Sequence, residues 1–428
     1  MKKYKILVFP AGTEIAFEIH NALKYSKIVE LYGGNSVPSH AEFLFKNSVD
    51  GIPFVTDPAF LDTMNAAIDQ YGIDFIYPAH DSACLELTRL QPQLHAKVVT
   101  SPWETVSICR SKNKTYEFLS GEAYIPEHYA SAEDVPTYPV FIKPTVGQGS
   151  EGARKVGSKE ALLSALSDGT EYAICQYLPG NEYTVDCFTD KNGVLRTVHL
   201  RQRERIRTGI SVRSSLLPTD EKIDRIAQNI NSHMVFNGAW FFQVKKTLSG
   251  DYKLMEISPR IPGTMAVSRN LGINYPLLTL YNMLGYDVDI LDNGSEIMLD
   301  RAFISRFKTD IQYSTVYVDF DDTVYLDDNV NVKLMSFLYQ CANQGKKIVL
   351  LTKHAKDIYE SLAHYKIAPS LFDEIVHLAP DEKKWQHIQD TSAIFIDDSF
   401  AERKSVKENC HIPVFDLDMI ECLLDWRM

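Results

Sequence analysis

The periodicity of apolar residues changes twice along this chain, and those changes limit what it can fold into. Up to about residue 98, the apolar runs KILVF, IVELYG and DFIYPAH alternate with amphipathic stretches such as AFEIHNAL and FLDTMNAAIDQYG. Strands alternating with helices predict a parallel sheet with helices on its faces. From about 120 to 300 the texture becomes paired extended segments joined by turns rich in Gly, Pro and Asn, with one helical stretch near DEKIDRIAQNINSHM. That is an α+β pattern. From about 313 the first pattern returns as TVYVDF, VKLMSFLYQCANQG, KKIVLLT and AIFIDD, which predicts a second, smaller doubly wound sheet. The expectation is a mixed α/β and α+β multidomain chain divided at 1–98, 99–305 and 313–428. A length of 428 residues, too great for one core, agrees with it.

Composition removes several function classes. The net charge of -12, with both signs spread along the chain, offers no basic face for nucleic acid or for an anionic membrane. Seven cysteines, an odd number with no C-x-x-C pair, indicate neither a disulfide framework nor a zinc site, and fit a reducing cytoplasm. The apolar run ILVF within MKKYKILVFPAG is four residues long, too short for a signal peptide or a membrane span. The first turn, PAGTEIA, lacks G-x-G-x-x-G and reads as a plain connection rather than a dinucleotide site.

The most informative stretch of the middle region is AWFFQVKKTLSGDYKLMEISPR. A hairpin symmetric about Ser249 and Gly250 sets Gln243 across from Glu256. Alternation then puts Trp240, Phe242, Val244, Met255 and Ile257 on an apolar face and Gln243, Lys245, Glu256, Ser258 and Arg260 on the other. Oxygens from Gln243, Glu256 and Ser258 suit Mg²⁺ that also holds nucleotide phosphates, with Arg260 beside a transferring phosphoryl group. An ordinary half-buried hairpin with a solvated polar face accounts for the same pattern. Upstream, YPVFIKPTVGQGSEGARKV carries Lys143 into a loop with Gly147, Gly149 and Gly152, but without G-K-[ST] it is no Walker loop. It is either a glycine hairpin folding backbone N–H groups over phosphates or a flexible surface turn.

In this order the pieces resemble the ATP-grasp superfamily, most of all the carbamoyl-phosphate synthetase large chain and related carboxylate-amine ligases, over roughly residues 1 to 300. The resemblance implies a Rossmann-like domain ahead of an ATP-grasp fold. It implies ATP contacts from Lys114 and Lys143, the glycine loop at Gly147 and Gly149, an adenine hinge at Gln176 and Leu178, and a ribose contact from Glu182. The family's metal set is matched by Gln243, Glu256 and Ser258, followed by Arg260 as a catalytic residue. Ser258 stands where the family has Asn, and Gln176 where it has Glu. The implied cofactors are ATP and Mg²⁺, with Mn²⁺ admitted. The implied reaction activates a small carboxylate as an acyl phosphate that an amine attacks, releasing ADP and Pi. Within LRQRERIRTG, strict alternation places Arg201, Arg203, Arg205 and Arg207 on one strand face. That run is either a charged edge strand or, with Arg203, Arg205 and Arg207, a site for an anionic substrate.

The stretch VYVDFDDTVYLDD, residues 316–328, poses a different problem. Two like charges about 4 Å apart repel by roughly 4 kcal/mol at an effective dielectric near 20, so its carboxylates ask for a cation. DFDDT, Thr352 after KKIVLL, a lysine in PDEKKW and Asp397-Asp398 after AIFI resemble the four motifs of haloacid dehalogenase-like phosphatases. The resemblance implies Asp319 as nucleophile, Asp321 as general acid and base, and Thr352 with Lys383 (or Lys384) positioning phosphate. Asp319, the Asp321 backbone and the pair Asp397 and Asp398 would hold Mg²⁺. About 33 residues separate Asp319 from Thr352, too few for a cap domain, so the domain is expected to be capless.

The composite expectation is a cytoplasmic ligase fused to a phosphohydrolase. It acts on a carboxylate, an amine and a phosphorylated small molecule, without nucleic acid or membrane, and is compatible with a homodimer. An alternative keeps only the phosphatase active, with the ATP-grasp part as a nucleotide-binding regulatory module. A non-catalytic scaffold is opposed by the presence of Glu256, Arg260 and the four phosphatase motifs.

Overall fold

In a computed structural model of the chain, residues 2–427 are described and form two compact units, one ending at Phe303 and one beginning at Ile304. The first unit opens with β1 (Tyr4–Phe9), α1 (Glu14–Leu23), β2 (Val29–Asn35), β3 (Asn47–Asp50), α2 (Phe60–Tyr71), β4 (Phe75–Pro78), α3 (Asp81–Leu90) and β5 (Lys97–Val98). The strands make a parallel sheet in the order β3-β2-β1-β4-β5. Its central strand reads as a continuous apolar run because both faces are covered. Ile6 and Val8 pack with Ile19 and Leu23 of α1. Leu7 and Phe9 pack with Phe60, Met64 and Ile68 of α2 and Leu87 of α3.

Helices α4 (Trp103–Arg110) and α5 (Lys112–Phe118) lead into two antiparallel sheets. The smaller contains β6 (His128–Tyr129), β7 (Val140–Pro144), β8 (Arg154–Val156) and, after α6 (Lys159–Leu166), β9 (Tyr172–Gln176), in the order β6-β9-β7-β8. The larger contains β10 (Glu182–Thr189), β11 (Leu195–Arg207), β12 (Ile210–Leu217), β13 (Gly238–Lys246), β14 (Tyr252–Ser258) and β15 (Met298–Asp300), in the order β14-β13-β10-β11-β12-β15. Helix α7 (Glu221–His233) follows β12, and α8 (Ala266–Asn270) and α9 (Tyr275–Met283) precede β15. The apolar stripe Ile223, Ile226, Ala227 and Ile230 of α7 shares a core with Val185, Trp240, Phe242 and Val244.

Register shifts in two of the ladders change the expected faces. Gln243 does sit across from Glu256, but the next pair is Val244 with Leu254, so Met255 is an extra residue. Leu254 and Ile257 therefore take the core positions, and Met255 is only half-buried rather than on the apolar face. On β11 the register shifts between Arg203 and Ile206, so the four arginines do not share one face.

The second unit contains β16 (Thr315–Val318), a small hairpin of β17 (Tyr325–Leu326) and β18 (Asn329–Val330), α10 (Val332–Asn343), β19 (Lys347–Thr352), α11 (Ile358–His364), β20 (Glu374–His377), β21 (Ala393–Ile396), α12 (Phe400–Cys410) and β22 (Val414–Phe415). Its main sheet is parallel, ordered β20-β19-β16-β21-β22. The carboxyl ends of the adjacent strands β19, β16 and β21 therefore bring Thr352, Asp319 and Asp397 to the same edge, the usual ligand side of an open α/β sheet. Among the described residues, no helix is long and apolar enough to cross a membrane.

Candidate active site

The polar face of the β13–β14 hairpin opens on a cavity of 290 Å³ in the first unit, lined by Gln243, Glu256 and Ser258. Arg260 just past β14, Arg203 of β11 and Lys112 at the start of α5 also line it. Gly147 and Gly149 reach it from the loop between β7 and β8. That loop touches the turn after β11, where a Cβ on Gly209 (φ +74°) would lie 2.1 Å from the Gly149 carbonyl carbon. Only glycine permits so close a backbone approach.

Charge in the cavity is tightly arranged. Arg260 donates through Nε and Nη2 to the two carboxylate oxygens of Asp81, at 2.7 and 2.6 Å, and the Ser258 hydroxyl donates to the same carboxylate at 3.2 Å. Burial alone would raise the Asp81 pKa, but Arg260, with Arg110, holds it well below the usual carboxylate range. Arg203 donates to the Gln243 side-chain oxygen at 2.8 Å, to Glu182 at 3.1 Å and to the Gly209 carbonyl at 2.6 Å. Burial lowers the pKa of the Lys112 ammonium, with Glu256 acting against that shift. The Glu256 carboxylate also supports the charges of Arg203 and Arg260. A carboxylate, an amide oxygen with a second free lone pair and a hydroxyl form an oxygen set suited to Mg²⁺.

Not every expected residue joins this cavity. Lys114 is exposed, and Lys112 takes its place, because residues two apart on a helix point to nearly opposite sides. Gln176 and Leu178 line a separate cavity of 830 Å³, where the Gln176 side chain accepts from the Glu127 N–H at 2.8 Å. Glu182 connects to the cavity through Arg203, and Lys143 through the Met255 carbonyl beside Glu256. Of the arginine run, Arg201 is fully buried against Asp186, and only Arg203 lines the cavity. Arg205 is exposed and paired with Asp300, and Arg207 is exposed with its guanidinium over the Phe303 ring, so neither stands at the expected substrate position. Arg301, which no sequence signal singled out, lines the cavity and has a buried Nη1 with no hydrogen-bond partner.

In the second unit Lys384, not Lys383, is the lysine of the cluster. Its ammonium donates to Asp319 and to Asp397 at 2.6 Å each, whereas Lys383 is exposed. Part of the cation demanded by the aspartates is thus supplied by the chain itself. It is not enough: burial still raises the pKa of Asp319 and pushes Asp397 up to about 6, with Lys384 opposing both shifts. Asp319, Asp397 and the exposed Asp398 each present an oxygen within 4.8 Å of the others, an all-oxygen set that fits Mg²⁺. The Asp321 side chain is outside this set. It accepts from the Tyr325 hydroxyl and from His354 Nδ1, both at 2.7 Å, and His354 Nε2 meets Ser361 at 2.7 Å. The Thr352 hydroxyl is buried without a partner. His354 and Tyr325 were not marked by the sequence, since neither falls at a spacing that singles it out.

Residues 170–316 match the family model described as ATP-grasp in the biosynthetic pathway with Ter operon. The chain is 28% identical over 138 residues to the ATP-grasp enzyme fsqD of Aspergillus fumigatus, a match covering 29% of this chain and 24% of that protein. It thus spans about a quarter of that relative's length. The biotin carboxylase domain of Hydrogenobacter thermophilus 2-oxoglutarate carboxylase, solved with MgADP and bicarbonate, is similar with a TM-score of 0.55 and 17% identity over 68% of this chain and 72% of that one. An L-amino acid ligase from Bacillus licheniformis is similar with a TM-score of 0.52 and 17% identity over 66% of this chain and 74% of that one. The chain therefore carries the ATP-grasp fold.

Proposed function

We propose that the first unit is an ATP- and Mg²⁺-dependent ligase that activates a carboxylate for attack by an amine. The observation that carries this reading is the convergence of Gln243, Glu256, Ser258 and Arg260 with a glycine loop in one cavity. A carboxylate oxygen of the substrate attacks the γ-phosphorus of ATP and ADP leaves. The amine nitrogen then attacks the acyl carbon, phosphate departs with the bonding pair, and the amine gives a proton to solvent. Lys112 and Arg260 offset the charge of the moving phosphoryl group. Gly147 and Gly149 close over the cavity and keep water from the acyl phosphate. Arg301 offers its free N–H to the substrate carboxylate. Mg²⁺, or Mn²⁺ in its place, held by Gln243, Glu256 and Ser258, would neutralise the phosphate oxygens. A screen of carboxylate and amine pairs for metal-dependent release of ADP and Pi tests the reading, and AMP with pyrophosphate as products would overturn it. Nucleotide binding without turnover by any pair would favour the regulatory-module alternative.

A second reading concerns the second unit, which we infer to be a capless, haloacid dehalogenase-like phosphohydrolase. It is favoured by Asp319, Asp397 and Lys384 at adjacent strand ends together with the unpartnered, buried Thr352 hydroxyl, which suits a phosphate oxygen. Asp319 attacks the phosphorus of a monoester, and Asp321 gives its proton to the leaving oxygen. Asp321 then takes a proton from water, which attacks the same phosphorus, releases Pi and regenerates Asp319. Mg²⁺ between Asp319, Asp397 and Asp398 would supply the missing positive charge. Hydrolysis of a small aryl phosphate that survives chelation unchanged, or that persists in Asp319→Asn, would overturn this reading.

A further inference from the structure

Most of the charge that lines the first cavity is already spent on other protein groups. Asp81 holds Arg260, Arg203 is taken up by Glu182, Gln243 and the Gly209 carbonyl, and Arg110 donates to the Gly147 carbonyl and the Ser82 hydroxyl. Two opposite charges are left beside α1. They are Glu14, the first residue of that helix, and Arg301, just past β15, and both line the cavity. The carboxylates that act on Lys112 are Glu256 and Asp81, whereas those that act on Arg301 are Glu18 and Glu14, so this second charged group is distinct from the one assigned to phosphate and metal.

Arg301 is held without a partner of its own. Burial lowers its pKa, with Glu18 and Glu14 opposing that shift, but Glu18 accepts from Arg269 at 2.7 and 3.2 Å and is spent there. The buried Nη1 of Arg301 meets no acceptor, and the exposed Glu14 is in no ion pair among the described residues. A half-buried, unpaired guanidinium is costly, so the position suits an anionic ligand group. A second donor lines the same cavity. The Thr264 hydroxyl accepts from the fully buried Arg201 at 2.6 Å, which leaves its own proton to donate. Gly263 sets the spacing: a Cβ there would lie 3.3 and 3.4 Å from the two terminal nitrogens of Arg301 and 3.4 Å from the Glu14 carbonyl oxygen. A ligand that meets both charges therefore carries its own anion and cation close together.

We propose that the acid activated in this cavity is an α-amino acid, with its carboxylate received by Arg301 and the Thr264 hydroxyl and its ammonium by Glu14. This rests on the reading of the first unit as a ligase. The test uses the full chain with ATP, excess Mg²⁺ and hydroxylamine, whose nitrogen attacks the acyl carbon, gives a proton to solvent and expels phosphate, so that an activated acid is trapped as its hydroxamate. The common α-amino acids are compared with the same acids lacking the amino group. We expect hydroxamate from at least one amino acid, with kcat/KM at least about tenfold above that of its counterpart, because a charged group left without its partner costs about that factor. Glu14→Gln should bring this ratio close to unity, whereas Arg301→Gln should lower kcat/KM for both acids. A Glu14 that is merely solvated predicts the wild-type ratio in Glu14→Gln. That result, or counterparts that react as well as the amino acids, overturns the inference and leaves the ligase reading intact. No hydroxamate from any acid overturns both.

Discussion

Asp81 grips Arg260 through both carboxylate oxygens, at 2.7 and 2.6 Å, and so ties the first residue of α3 in the parallel sheet to the end of β14 in the large antiparallel sheet. Both side chains are largely buried, at 20% and 13% exposed. Losing one partner of such a pair leaves the other charge stranded, which costs about 3–5 kcal/mol. Asp81→Asn keeps the shape and one acceptor, so we expect about 2–3 kcal/mol of lost stability, measured by denaturant unfolding. Because the folded-state pKa of Asp81 is depressed, its contribution is present at neutral pH and is lost as the pH falls below the usual carboxylate range. A difference between wild type and variant that does not shrink on acidification would contradict this.

Lys112 and Lys114 separate by role. Lys112→Ala should weaken binding of MgADP by roughly tenfold, because a cation lining the proposed nucleotide cavity is lost, while Lys114→Ala should stay within about twofold. Equal effects of the two substitutions would refute the placement.

Glu256→Ala should abolish substrate-dependent ADP formation and leave hydrolysis of an aryl phosphate within about twofold of wild type, since Glu256 and Asp319 belong to different units. Loss of both activities in a folded variant would sink the two-site account.

These sites were legible to different depths. The Gln243–Glu256 pairing could be read by counting residues about a turn, because cross-strand register is arithmetic while the ladder is regular. The bulge at Met255 could not, since nothing in KLMEIS marks an extra residue, and the bulge is what turns a carbonyl toward Lys143. The arginine run failed for the same reason: alternation assumes an unbroken strand, and β11 shifts register between Arg203 and Ile206. The lysine assignment in SKNKTYEFL depended on helical phase, which the buried Tyr116 sets through tertiary packing. The parallel sheets were plain because strands covered on both faces leave continuous apolar runs.

Lys384 and Lys383 offer a similar contrast in the second unit. Lys384→Met strands two buried carboxylates and should lower the melting temperature of that unit in the absence of divalent metal, by the equivalent of about 3 kcal/mol or more. Mg²⁺ should recover part of the loss by binding the vacated charge. Lys383→Ala, at an exposed position, should change stability by less than about 0.5 kcal/mol. A larger effect from Lys383→Ala than from Lys384→Met, read from calorimetric scans, would reverse the assignment.

The pH dependence of the second unit follows from the same cluster. Burial pushes the Asp397 carboxyl up to about 6 and raises Asp319 in the same direction, so between the ordinary carboxylate range and about pH 6 the folded state binds more protons than the unfolded one. Stability from these groups is therefore fully present below the unfolded pKa and is lost as the pH rises through about 6. Without divalent metal, the melting temperature of this unit should fall from pH 4 to pH 7 by more in the wild-type protein than in Asp397→Asn, where the titrating group is gone. Mg²⁺ favours the charged carboxylates, so adding it should flatten the wild-type profile and raise the melting temperature most at pH 7. If chelation and Mg²⁺ give superimposable profiles, and Asp397→Asn tracks the wild type across the range, then the three oxygens of Asp319, Asp397 and Asp398 do not surround a cation and Lys384 alone satisfies them.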